Sequence, residues 1–241
     1  VFRGEGIMKF KIVLTILFGF LFTSLTSAQK VYIAYIDGEI DLGLAPYVKR
    51  VVNEAEENSA KAIIFKINTF GGRVDAATQI KDAILNSKVK TIAFIDKRAI
   101  SAGALIALSC EKIVMVPGAS IGASTVVDQE GKKQAEKYQS YMRSEMRATA
   151  EKNGRRTDIA QAMVDETVVV PDLQDDSTKL VTLTTTEAVK FKIADTTLTS
   201  IEEVKKCFGL INEEDVDINS NWAEDIVRFI NNPVISSLLI M

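Results

Sequence analysis

Apolar and polar positions along the chain follow two alternating rhythms. Four short runs are almost wholly apolar: 31–36 (VYIAYI), 62–67 (AIIFKI), 91–95 (TIAFI) and 112–116 (KIVMV). Their length and β-branched content predict strands buried on both faces. Between them the period changes to that of a helix. Over 44–58, Leu44, Val48, Val51, Val52 and Ala55 share one face, with Lys49, Arg50 and Glu54 outside. Over 75–86, Ala76, Ile80, Ala83 and Ile84 turn inward, and 101–109 predicts a third, almost entirely apolar helix. Asp37-Gly38 and 68–72 (NTFGG) read as turns. Strands alternating with helices predict an α/β domain with a mostly parallel sheet and flanking helices, joined by right-handed crossovers.

Beyond Gln129 the pattern becomes more polar. A long charged helix is predicted over 134–153, with Asn153-Gly154 as its C-terminal stop, and another over 158–165. Short strands are expected at 168–170 and 179–183, and Thr186 as the N-cap of a helix over 187–191. Residues 222–230 are amphipathic, with Trp222, Ile226, Phe229 and Ile230 on one face.

Both ends of the chain read as membrane or targeting segments. Met8-Lys9-Phe10-Lys11, an apolar run over 12–25 and the small residues Thr26-Ser27-Ala28 form the three regions of a secretory signal peptide. We expect 1–28 to be that leader, cut after Ala28, with 1–7 a spurious upstream extension. The domain proper is then 29–210. Residues 211–232 form a juxtamembrane linker and amphipathic helix. Pro233 and the apolar residues after it, 233–241, read as the start of a truncated transmembrane helix, the alternative being a C-terminal helix docked on the domain.

Composition narrows the chemistry. The chain of 241 residues contains no histidine. This excludes Ser-His-Asp and Cys-His catalysis and histidine-ligated zinc, so acid–base work falls to Lys, Asp, Glu or Tyr. A formal charge of −3 gives no basic footprint for nucleic acid. Two cysteines, Cys110 and Cys207, cannot build a structural zinc site. Their spacing leaves open whether they bridge, although Cys110 lies in an apolar run suited to a buried free thiol.

Ser101 stands where the third strand gives way to a small, apolar helix. There the carboxyl ends of parallel strands gather sites, and helix N–H groups can stabilise an oxyanion. A plain N-cap serine fits the same sequence. Gly71-Gly72 falls at the same sheet edge, where the absence of Cβ lets backbone approach a substrate. A serine nucleophile without histidine needs another base, and a desolvated lysine can serve. Lys132, Lys133, Lys137 and Lys152 are the candidates. No carboxylate pair suggests glycoside hydrolysis.

Three segments together carry a resemblance: Phe70-Gly71-Gly72-Arg73-Val74-Asp75, Ala99-Ile100-Ser101-Ala102-Gly103-Ala104, and Pro117-Gly118-Ala119-Ser120-Ile121-Gly122-Ala123. With 137–155 and Ala162-Met163-Val164-Asp165, they resemble the amino-terminal protease domain of NfeD-type proteins. These are membrane-bound relatives of ClpP and signal peptide peptidase A, on the ClpP/crotonase fold. The resemblance covers about residues 30–205. It implies a membrane-associated serine endopeptidase with a Ser-Lys dyad: Ser101 as nucleophile and Lys137 as general base, with Lys133, one turn earlier, as the second choice. It also implies an oxyanion hole from the Gly72 and Ala102 N–H groups, substrate contacts at Gly71, Gly72, Ile121 and Gly122, and neither metal nor cofactor. The implied substrate is a membrane protein or peptide, such as a hydrophobic segment of a stomatin-like partner. The leader places the protease domain outside the cytoplasm, and a homodimer is expected by the resemblance. A crotonase-type acyl-CoA enzyme shares the fold, but the leader argues against it. A non-catalytic scaffold for a membrane partner remains the alternative. One departure stands out: the family usually carries glycine where this chain reads Phe191-Lys192-Ile193, so either Lys192 takes a strained helix end or the helix ends differently.

Overall fold

The structure is a computed structural model and describes residues 29–128, 130–173, 179–231 and 235. The expected signal peptide lies outside the described residues, as does nearly all of the expected transmembrane segment. Among the described residues no helix is long and apolar enough to cross a membrane.

The chain first lays down three long strands, each followed by a helix. These are β1 (Lys30–Ile40), α1 (Leu44–Glu57), β2 (Ala62–Gly72), α2 (Val74–Leu85), β3 (Lys90–Ile100) and α3 (Ala102–Ser109). Next come β4 (Lys112–Met115), β5 (Ser120–Gly122), α4 (Glu136–Lys152) and α5 (Thr157–Ala162). The final elements are β6 (Thr182–Thr184), α6 (Thr185–Lys190), β7 (Thr196–Thr197), α7 (Ile201–Cys207), β8 (Glu214–Ile218) and α8 (Trp222–Asn231).

These strands form one sheet in the order β6-β5-β3-β2-β1-β8. β3 is its branch point. Its first half pairs with β4, which carries β7, and its last three residues pair with β5. All pairings are parallel except β5–β6. The parallel βαβ series predicted from the pattern is therefore present.

Successive residues on the strands serve opposite cores. Ile63, Phe65 and Ile67 face the large core under α1–α5, whereas Ala62 and Ile64 face a smaller one closed by Val204 and Leu210. This two-sided burial explains the nearly unbroken apolar runs. All eight residues of α3 are buried, which explains why that segment shows no polar face.

Several sequence expectations need correction. Asp37-Gly38 and 68–72 are not turns: both lie inside strands that run on to Ile40 and Gly72. The polar residues there mark register shifts, between Asp37 and Glu39 and between Ile67 and Thr69, after which pairing resumes. Residues 168–170 form no strand; Val170 is buried in a loop that packs on the core. The N-cap of α6 is Thr184, not Thr186. Its side chain accepts from the Glu187 N–H, and the Glu187 carboxylate accepts from the Thr184 N–H, a reciprocal pair. Both cysteines are free, Cys110 buried and Cys207 exposed. Burial pushes the Cys110 thiol up to about 12.

Two features of the family-like segments prove architectural. Lys192 takes φ 59 at the end of α6, the strained helix end expected where the family has glycine. Arg155 is buried and donates to the carbonyls of Ile193 and Glu111 and to Asp195. It ties the end of α4 to two otherwise separate loops. Burial opposes charge on Asp195, but the Ile113 N–H and Arg155 outweigh it and hold the carboxyl below its ordinary range.

Candidate active site

The carboxyl ends of β2 and β3 bring Gly71 and Ser101 together. A Cβ on Gly71 would lie 2.6 Å from the Ser101 Cβ and 3.0 Å from its Oγ. Only hydrogen fits between that backbone and the serine, and Gly71 has φ +107. Gly72 sits at φ +155 in register with Ile40, where a Cβ would collide with the Ile40 carbonyl oxygen at 2.3 Å. The glycine pair is thus a close-packed strand end.

Ser101 occupies φ 56, ψ −122, a conformation that costs a non-glycine residue about 1–3 kcal/mol. Its backbone is fixed on both sides. The Ser101 N–H donates to the Gly122 carbonyl at 2.9 Å, and its carbonyl accepts from the Ala104 N–H and the Ser124 hydroxyl. The Ser101 side chain makes no capping bond to α3. It does not behave as the plain N-cap serine that the sequence also allowed. A strained serine between strand and helix, with an uncommitted hydroxyl, is the geometry of a nucleophile elbow. Ala102 begins α3, and the first N–H groups of a helix have no intrahelical acceptor.

The neighbouring groups sort the remaining candidates. The Gly71 N–H is already committed, donating to Thr69 Oγ1 at 2.9 Å. Thr69 is itself buried and donates to the Gly38 carbonyl. Gly72 is open to solvent. Ile121 is fully buried, flanked by β3 and β6, and points into the large core. Gly122 is also buried and holds the Ser101 N–H. As placed, these two residues support the serine turn from behind.

A cavity of about 730 Å³ adjoins the glycine pair from Arg73 onward. Val74, Val126, Tyr138 and Tyr141 give it apolar walls, and Lys137 lies on its rim. The Arg73 guanidinium, hydrogen-bonded to Asp75, holds that carboxyl below its ordinary range.

Lys137 is exposed on the first turn of α4, with its ammonium 5.9 Å from the Tyr138 ring centre. Among the described residues neither it nor the Ser101 hydroxyl makes a hydrogen bond, so the two are not paired here. The Lys133 ammonium is 2.8 Å from Glu166 in an exposed ion pair. Lys152 donates to the Leu85 carbonyl, away from the cleft.

Sequence reasoning missed three groups that hold this site. Thr69 was hidden in the segment taken for a turn. Ser124, completely buried, follows the glycine of β5. Gln139 is buried in α4 and clamps the Val126 backbone through both of its amide atoms, fixing the cavity wall. A glutamine on the inward face of a charged helix was the signal for the last.

Comparison with known proteins places this geometry in context. The profile of the NfeD1b N-terminal domain matches residues 30–220. Membrane protein NfeD1b of Bacillus subtilis is 32% identical over 212 residues, covering 88% of this chain and 48% of the relative. The membrane-bound protease PH1510 of Pyrococcus horikoshii is 28% identical, covering 92% of this chain and 53% of the relative. The chain therefore spans about half the length of the curated relatives it matches. Among solved structures, a lysine-to-alanine mutant of the 1510-N membrane-bound stomatin-specific protease, in complex with a substrate peptide, superposes with a TM-score of 0.73. It is 26% identical and covers 86% of this chain and 99% of that one. A serine-to-alanine mutant of the same protease matches with a TM-score of 0.69 at 27% identity, over 81% of this chain and all of that one. ClpP1 from Listeria monocytogenes, 23% identical with a TM-score of 0.55 over 72% of this chain and 94% of that one, shares the fold. With its ClpP-like sheet and the profile match over most of its length, the chain belongs to the NfeD1b N-terminal domain family.

Proposed function

We propose that this domain is a serine peptidase with Ser101 as nucleophile and Lys137 as general base. The observation that carries the reading is the Ser101 turn: a strained serine, packed on Gly71, with its hydroxyl left uncapped. In the proposed reaction the neutral Lys137 amine takes the Ser101 proton as Oγ attacks a peptide carbonyl carbon. The Gly72 and Ala102 N–H groups hold the oxyanion. The leaving amine takes the proton back from Lys137, leaving an acyl-enzyme. Water, deprotonated by the same lysine, then hydrolyses the ester and restores both side chains. The apolar cavity beside Gly72 suits a hydrophobic segment of a membrane protein, and the stomatin specificity in the neighbouring structures' names supports a stomatin-like substrate. Membrane attachment with the protease domain outside the cytoplasm, and a homodimer, complete the proposal. No cofactor enters the reaction.

The exposed, unpaired Lys137 favours one other reading, a ClpP-fold scaffold that binds a membrane partner without cleaving it. A fluorophosphonate probe separates the two. Under the peptidase reading Ser101 is labelled, and labelling rises with pH because only a neutral lysine accepts the proton. It is lost in Ser101→Ala and in Lys137→Ala. Absence of labelling across the pH range, with the chain in detergent or in vesicles, supports the scaffold.

A further inference from the structure

The last helix is docked the wrong way round for a soluble surface. A surface helix normally buries its apolar face and exposes its polar one. In α8 the buried residue is Glu224, while Trp222 is 77% exposed, Phe229 62%, and Ile226 and Ile230 each 48%. The polar side does the docking. The Glu224 carboxylate takes two hydrogen bonds from Arg50, both at 2.8 Å. Arg228 donates to Asp41 at 3.0 Å and to the Asp37 carbonyl. Gly43 packs so closely on this helix that a Cβ there would lie 2.5 Å from the Arg228 side chain. The seating is specific, and it leaves the apolar face outward by construction.

We propose that the outer face of α8 is a lipid-binding surface that lies in the headgroup–acyl boundary of a bilayer. Three observations choose lipid as the occupant. An aromatic residue stands near each end of the face, Trp222 and Phe229, types found on the apolar faces of helices that lie in a membrane interface. In sequence the helix runs directly into the apolar stretch 233–241. The matched relatives are named as membrane proteins. The charges of α8 also define the kind of binding. Arg228 and Glu224 are spent on the domain, so the outer face offers no cation to anionic headgroups. Attachment is hydrophobic, indifferent to salt and to lipid charge. α8 grips Asp37 and Asp41, and Glu39 and Ile40 between them pair with Gly71 and Gly72. Lipid contact would therefore hold the cleft edge of the sheet at the membrane.

Trp222 is the only tryptophan in the chain, so its fluorescence reports this face alone. The full chain is mixed with phosphatidylcholine vesicles, with and without brominated acyl chains. The expected result is a blue shift of Trp222 emission and quenching by bromine, both unchanged at high salt. The double variant Phe229→Ser with Ile230→Ser, whose side chains are outside the packed core, should stay folded and lose both effects. Three results would overturn the proposal. One is emission unmoved by vesicles. Another is a double variant quenched as strongly as the parent chain. The third is a blue shift that appears without lipid and grows with protein concentration, which would assign the face to a second copy. Probe labelling at Ser101 is read separately, so failure here and failure of the peptidase reading are distinguishable.

Discussion

The two halves of the proposed dyad are built to different standards. The serine half is a strained turn pinned by β5, packed against a glycine backbone and supported by buried Thr69 and Ser124. The lysine half is a solvent-exposed side chain on the first turn of a helix, resting near a tyrosine ring. Strain survives where surrounding contacts over-determine it, and the serine half meets that condition. A lysine becomes a base by losing water from around its ammonium, and Lys137 is exposed. Under the peptidase reading, the difference teaches that the fold itself would prepare the nucleophile, whereas the base would wait for a substrate in the cavity to shield it from water.

The sharpest way to break this comparison is to remove the proposed nucleophile. Ser101→Ala should lower peptide hydrolysis by a factor on the order of 10³ or more while leaving the fold intact. Hydrolysis that persists would move the chemistry elsewhere. Gly71→Ala tests whether the turn is pre-built. A methyl at 2.6 Å from the Ser101 Cβ, in a left-handed conformation, should abolish probe labelling and cost about 1–3 kcal/mol in a denaturant titration. Normal labelling in this variant would show a looser turn than described. Thr69→Val removes the acceptor for the Gly71 N–H and the donor to the Gly38 carbonyl, at a cost of about 1–3 kcal/mol. Because Thr69 acts through Gly71, labelling should slow without disappearing. The smallest effect concerns the thiols. Cys207 should react with a thiol reagent in the native state, and Cys110 only after unfolding, because burial holds its thiol up to about 12.

Much of the fold was legible in the sequence, and the physics explains which part. Strands buried on both faces must be apolar at nearly every position, so 31–36, 62–67 and 91–95 stood out as strands, the first two followed by amphipathic helices and the third by a wholly apolar one. The carboxyl-terminal extensions of the same strands did not. Asp37-Gly38-Glu39 and Asn68-Thr69, with Gly71-Gly72, interrupt the apolar runs, and local rules read such residues as turns. The Ser101 elbow was legible as a place but not as a conformation: the same letters fit a capping serine until φ 56 is seen. The α8 sequence predicted its amphipathic character correctly, and could not say which face meets the domain. That depends on Arg50 and Asp41, distant in sequence and brought there by the fold.

The sheet's parallel course fixes where the chain enters and leaves it. The Gln29 carbonyl is bonded to the Glu214 N–H beside the start of β1, and α8 ends next to Asp41, beyond that strand's far end. Eleven residues of strand at roughly 3.3 Å each separate the two places by about 35 Å. The domain therefore has poles. A reporter fused ahead of Gln29 would stand at the pole away from Ser101, free of the cleft. The same reporter placed after Asn231 would sit at the cleft's own pole and crowd whatever approaches it.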